Sequence, residues 1–241
     1  DLFNGAVKLT GSMRYDKSQY FDGQFTPRLG ALVFLSENQN IRFSYQTGFM
    51  NPSTQDQYIA LDVVSAVLMG SSPDSIDRFR MSFTGSNFNE HTVTGDMVMN
   101  NGLIAQDFLA GTITPVELKP VEPQHVISRE FGYRLNGKKV SIDLSAHWST
   151  FNNFIAAKQV IVPFYGDVSN LGQGGGSSAL AALVADDYRI FSVDNNTEEV
   201  VTTMGVNVGL ETKIDKLDFG ATFSYNEICL LYTSPSPRDS R

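Results

Sequence analysis

Residues 140–148 read Val-Ser-Ile-Asp-Leu-Ser-Ala-His-Trp, and apolar and polar members alternate without a break. Val140, Ile142, Leu144, Ala146 and Trp148 fall in one phase; Ser141, Asp143, Ser145 and His147 fall in the other. Side chains on a β-strand point alternately to opposite faces, so period two makes a ribbon that is apolar on one side and wet on the other. The device recurs over 7–16, 41–49, 205–211 and 219–226, and more weakly over 26–36 and 126–135. The 17 Phe, nine Tyr and 20 Gly lean the same way, towards strands and turns. Ribbons of this kind must cover their apolar sides with a second sheet or with lipid. No run approaches the ~18 apolar residues of a spanning helix, but barrel strands never form such runs.

The gaps between the strands choose between these options. Short gaps fall at 37–40, 136–138 and 215–216, and Asn136-Gly137 is a tight-turn signal. Long gaps fall at 17–25, 51–120 and 157–197. Short turns at one end and long loops at the other match an outer-membrane barrel, whereas a sandwich has turns of similar length at both ends. Tyr15, Phe49, Trp148 and Tyr225 lie near the long-loop ends, where rings form an interfacial girdle. The expected fold is therefore all-β: a partial transmembrane antiparallel β-barrel of about seven strands, with short periplasmic turns and long extracellular loops.

Composition removes several function classes. With 18 Lys+Arg against 26 Asp+Glu, the net charge of −8 argues against nucleic acid as a partner. The single Cys excludes an internal disulfide and a Cys-based zinc cage. His91, His125 and His147 share no metal-ligand spacing, and no cofactor is expected. Gly172–Gly176 opens a glycine loop but lacks the Lys of a phosphate loop, so it reads as a loop feeding a short helix. Asp186-Asp187 and Glu198-Glu199 read as solvated loop charge. No nucleophile elbow occurs, so the chain is not expected to be an enzyme.

Two stretches carry a family resemblance. Phe25-Thr-Pro-Arg-Leu-Gly30, followed by a short turn and Asn40-Ile-Arg-Phe-Ser-Tyr-Gln-Thr-Gly-Phe-Met-Asn-Pro52, resembles the barrel of TonB-dependent outer-membrane receptors. So does Leu118-Lys-Pro-Val-Glu-Pro123 running on to Glu130-Phe-Gly-Tyr-Arg134 and a hairpin. The resemblance implies a Gram-negative outer membrane, lipid contact, an upstream plug, a TonB-type energy-coupling partner and an imported ligand such as a siderophore, cobalamin, glycan or peptide. The domain expectation is an incomplete barrel over 1–228, followed by a tail over 229–241. The tail, ending Ser-Pro-Ser-Pro-Arg-Asp-Ser-Arg241, resembles translated sequencing adapter.

Function is expected in the loops and along the lumen. The candidate ligand-contacting residues are Asn51, Gln55, Gln57 and Tyr58 beyond the rim, with Arg42, Gln46 and His147 on the polar strand face. Residues 57–69 are expected to form a short helix folding over the pore mouth. Ser72–Arg78 carries turn and N-cap chemistry. The alternatives are an extracellular β-sandwich that binds ligand or carbohydrate, a passive porin, and a barrel enzyme.

Overall fold

A computed structural model describes residues 5–171, 178–214 and 216–230. The alternating segments form seven antiparallel strands: β1 (Val7–Asp16), β2 (Gln24–Ser36), β3 (Gln39–Met50), β4 (Gln124–Asn136), β5 (Val140–Asn152), β6 (Val201–Ile214) and β7 (Leu217–Leu230). They pair in chain order to make one sheet, β1-β2-β3-β4-β5-β6-β7. Contacts divide the chain into two compact units; the first holds this sheet, and the second holds residues 52–122 and 155–196. Cys229 and Leu230, placed by the sequence in the tail, complete β7 opposite Thr202 and Val201. The rest of that tail lies outside the described residues, as does the glycine loop at 172–177.

One face of the seven-stranded sheet is apolar and open. Trp148 is 53 % exposed, Phe131 54 % and Phe223 62 %. Among the described residues no second layer seals Leu144 or Trp148, which argues against the β-sandwich alternative. Large apolar side chains this exposed, on one continuous face, fit a surface made for hydrocarbon.

The register gives the tilt of these strands. Gln39, Leu135, Ile142, Leu210 and Ala221 stand side by side in one row. Gln39, Val140 and Leu217 are the first strand residues after the three short turns; relative to that row they lie at zero, two and four residues further on. Two residues of slip per pair of strands, at ~3.3 Å rise and ~4.8 Å spacing, mean a tilt of about 35° if the turns share one level. The aromatic residues test this independently. Tyr15 stands six residues beyond the row Leu9–Ala31–Phe43–Phe131–Ala146–Val206–Tyr225, Trp148 stands two beyond it, and Tyr225 lies in it. The three strands involved are four and two apart, so one residue of slip per strand brings all three rings to one level. Phe49 sits two residues higher. From this level to the turns is eight residues, Trp148 to Val140, or about 22 Å in height at that tilt, close to the ~25 Å apolar band of an outer-membrane barrel.

The second unit has its own core. Ile155–Pro163 and Tyr188–Asn196 pair along their length at the centre of a six-stranded sheet. Val67–Met69 joins in parallel and Ala60–Asp62 follows it; Gly102–Ile104 and Pro115–Val116 extend the other side. Val160 and Val162 face a cluster with Val67, Met69, Phe79 and Phe191, while Ile161 faces Leu103, Ala179 and Leu183. A strand buried on both faces loses the alternation by which the barrel strands were found. A hairpin of Arg80–Thr84 and Glu90–Thr94 lies between two short helices, Pro73–Arg78 and Gly95–Asn100. Ser72 caps the first as expected, accepting a hydrogen bond from the Ser75 amide (3.1 Å), with Pro73 at the first helical position.

The expected helix over 57–69 is not formed. The helix is Thr54–Tyr58, started by a capping box in which the Ser53 hydroxyl accepts from the Asp56 amide and the Asp56 carboxylate accepts from the Ser53 amide. It stops at Ile59, and Val67–Met69 becomes a strand buried against Phe191. Gly70 allows this, since a Cβ there would collide with the Gln57 carbonyl group.

Candidate functional site

Within the first unit, Arg42, Gln46 and His147 lie on the polar face, in three consecutive cross-strand rows: Arg42–Gly132–Ser145, Ser44–Glu130–His147 and Gln46–Ser128–Ser149. Gln46 and His147 each stand seven residues past the turn-side start of their strands, hence at one height; Arg42 stands three past. Gln46 borders a depression of about 240 Å³, shared with Thr10, Ser12, Arg28 and Ser44. His147 lies across Gly205, beside Asn226.

Arg42 is already engaged. Its guanidinium pairs with Asp143 (2.8 Å) and Glu130 (3.5 Å), and Asp143 also receives Arg134. Asp143 lies two strands away, and Arg42 reaches it by lying flat over Gly132, where any Cβ would occupy the space of its guanidinium. The arrangement braces β3, β4 and β5 on the wet face and leaves Arg42 little freedom to capture a ligand. Glu130 and Asp143 were missed as partners of Arg42 because both are far from it in sequence. Their common polar phase was visible; the register that joins them was not.

The remaining candidates do not form one constellation with these. Asn51 closes the first unit just after β3, and its side-chain oxygen is buried without a hydrogen-bond partner among the described residues. Gln55, Gln57 and Tyr58 belong to the Thr54–Tyr58 helix of the second unit. Gln57 spends its amide on the carbonyls of Pro52 (2.8 Å) and Ser53 (3.3 Å), whereas Gln55 and Tyr58 are exposed. Among the described residues no three His, Cys, Asp or Glu are gathered so as to hold a metal ion.

The second unit contains a buried carboxylate that the sequence hid. Asp187 is 2 % exposed, not solvated loop charge. It accepts hydrogen bonds from the Ser86 amide and the Tyr165 hydroxyl (3.2 Å), and the His91 ring stacks on Phe164 with centroids 5.3 Å apart. Burial, the largest single influence, pushes the Asp187 carboxyl up; the Ser86 and Tyr165 hydrogen bonds and the nearby His91 outweigh it and hold the group below the usual carboxylate range. A lowered folded-state value stabilises the unit above the unfolded value of about 4 and is lost as pH falls through the folded value. The thermal midpoint of the second unit is therefore expected to drop as the medium is acidified below about pH 4, and Asp187→Asn to flatten that drop in melts across the acid range. An unchanged acid slope in the variant sinks this assignment.

The profile of the family described as "TonB dependent receptor-like, beta-barrel" matches residues 2–240. Among solved structures, the siderophore receptor PirA from Pseudomonas aeruginosa is similar at a TM-score of 0.53 and 14 % identity, over 95 % of this chain and 32 % of that one. PirA from Acinetobacter baumannii is similar at 0.51 and 10 %, over 95 % and 26 %. A mutant of the ferric enterobactin receptor PfeA from P. aeruginosa is similar at 0.50 and 12 %, over 96 % and 25 %. This chain thus spans about a third or less of the receptors it resembles. No curated relative matches the sequence.

Proposed function

We propose that this chain, which belongs to the TonB-dependent receptor-like β-barrel family, is part of an outer-membrane receptor that binds a scarce nutrient and imports it with energy supplied through a TonB-type protein. The observation that carries the proposal is the tilted sheet with an open apolar face, a polar opposite face and aromatic rings at one level. The cargo classes compatible with such a barrel are siderophore, cobalamin, glycan and peptide. The names of the similar structures favour a ferric siderophore. Capture needs no covalent step, so the reading is of a transporter without enzymatic activity. It requires only that two states of an upstream plug differ in affinity for ligand.

Gln46 and His147, level on the wet face, are the lumen contacts in this reading; Arg42 acts as a brace. The test is uptake. Cells carrying the intact receptor are expected to accumulate a ferric siderophore in a TonB-dependent manner, and Gln46→Ala with His147→Ala to reduce uptake about tenfold, equivalent to ~1.4 kcal/mol of binding. Uptake that persists without the coupling protein marks a passive porin and ends the proposal. The reading of residues 229–241 as translated adapter is carried by their sequence alone, and genomic sequence past codon 228 decides it.

A further inference from the structure

The apolar face of the seven-stranded sheet carries a cation in an unexpected place. Arg129 is in the outward phase of β4, paired in register with Tyr45 on one side and Trp148 on the other. Its guanidinium carbon lies 5.8 Å from the centre of the Tyr45 ring and 5.5 Å from that of Trp148. Among the described residues no carboxylate forms an ion pair with it, unlike Arg42, Arg134 and Arg189. The other ionised residue on this face, Glu227, is three strands away, about 14 Å at ordinary strand spacing, and its carboxylate accepts from Tyr225 (3.1 Å).

Height decides what Arg129 can meet. Its register partner Trp148 is one of the three rings that fix the upper aromatic level, and one strand of tilt puts Arg129 within a residue of that level. Beyond it polar residues enter the face: Thr150, Thr202 and Glu227 follow Trp148, Met204 and Tyr225 outward, while Ile127 follows Arg129 and Phe49 follows Thr47. Arg129 therefore stands where hydrocarbon ends and headgroups begin, with two aromatic walls fixing its planar fork. A guanidinium held in this way suits a phosphate, which it engages through two parallel hydrogen bonds.

We propose that Arg129, clamped between Tyr45 and Trp148, binds a phosphate of an outer-leaflet lipid headgroup and so fixes the barrel to a phosphorylated lipid at this strand. A soluble anion is not the occupant: the site opens onto the lipid-facing surface, and only a headgroup brings phosphate there together with chains for Leu144, Phe131 and Phe43.

The test uses the intact receptor, purified in detergent and offered a diphosphorylated lipid A, the same lipid stripped of its phosphates, or inorganic phosphate, with retained lipid read by native mass spectrometry. Wild type is expected to keep the phosphorylated lipid about fivefold better than Arg129→Gln, the factor that about 1 kcal/mol per basic residue implies. Arg129→Lys keeps the charge but loses the fork, and falls between the two; it also serves should the Gln variant not fold. Trp148→Leu, which removes one wall, weakens retention as well. Equal retention by wild type and the folded Gln or Lys variant overturns the proposal. So does equal retention of the stripped lipid, or full competition by inorganic phosphate.

Discussion

Residues 52–122 joined to residues 155–196 by a short Gly/Ser linker are expected to fold in plain buffer and melt cooperatively, while residues 1–241 in the same buffer aggregate until detergent is added. The two segments supply a closed core of Val67, Met69, Phe79, Val160, Phe191 and Val193, at about 110 residues an ordinary domain size. The cut ends lie close together. Glu122 exchanges hydrogen bonds with the Asn196 side chain (2.7 and 3.0 Å), and Ile155 is the register partner of Asn196, so about four linker residues suffice. Phe191 is fully buried and meets Phe79 and Phe83 edge to face, so Phe191→Ala should cost about 3–5 kcal/mol, a large part of the stability of such a domain. The seven-stranded sheet has no such means of stability in water. Its apolar face is exposed, and an open sheet offers unpaired edges to its neighbours. Circular dichroism melts and sedimentation without detergent check both halves. A linked second unit that stays molten removes its independence; a monomeric, cooperatively melting 1–241 removes the lipid-facing assignment.

This contrast explains what could be read from the residues. The barrel strands were legible because each is apolar on one side only, and Val7–Asp16 agrees to the residue. The others were recovered two to seven residues short, since alternation fades where Thr150, Thr202 and Asn152 replace apolar residues above the aromatic level. The second unit was invisible as a sheet. Its central strand is buried on both faces over Val160–Pro163, and its parallel strand is three residues long, so neither shows period two. Asp187 looked like loop charge because its partners, Ser86 and Tyr165, are 101 and 22 residues away. Candidate site residues fared according to the same rule. The shared face of Arg42, Gln46 and His147 followed from phase alone, whereas the occupation of Arg42 by Asp143 needed the register and the bare backbone at Gly132.

A single Arg moved over the two faces and along one of them tests the membrane placement directly. Leu144 lies four residues from Val140 at the turn and four from Trp148 at the aromatic level, which puts it at mid-height of the apolar band. Leu144→Arg in the intact receptor reconstituted in vesicles is expected to lower unfolding stability by about 2–4 kcal/mol, the cost of a guanidinium at the midplane. Ile127 lies on the same face near the aromatic level, where Ile127→Arg should cost only about 0–1 kcal/mol, because the side chain reaches headgroups and water. Face is tested by neighbours on β7. Phe223→Arg enters lipid and is penalised; Ser224→Arg, one residue on, points to the wet side and is tolerated. A soluble sheet predicts another order. Leu144, Phe223 and Ile127 would then cost alike with no dependence on height, since water or protein contact carries no depth gradient. Denaturant titrations of the four variants separate the cases. A flat profile, or a Leu144→Arg no worse than Ser224→Arg, would place the apolar face somewhere other than in lipid.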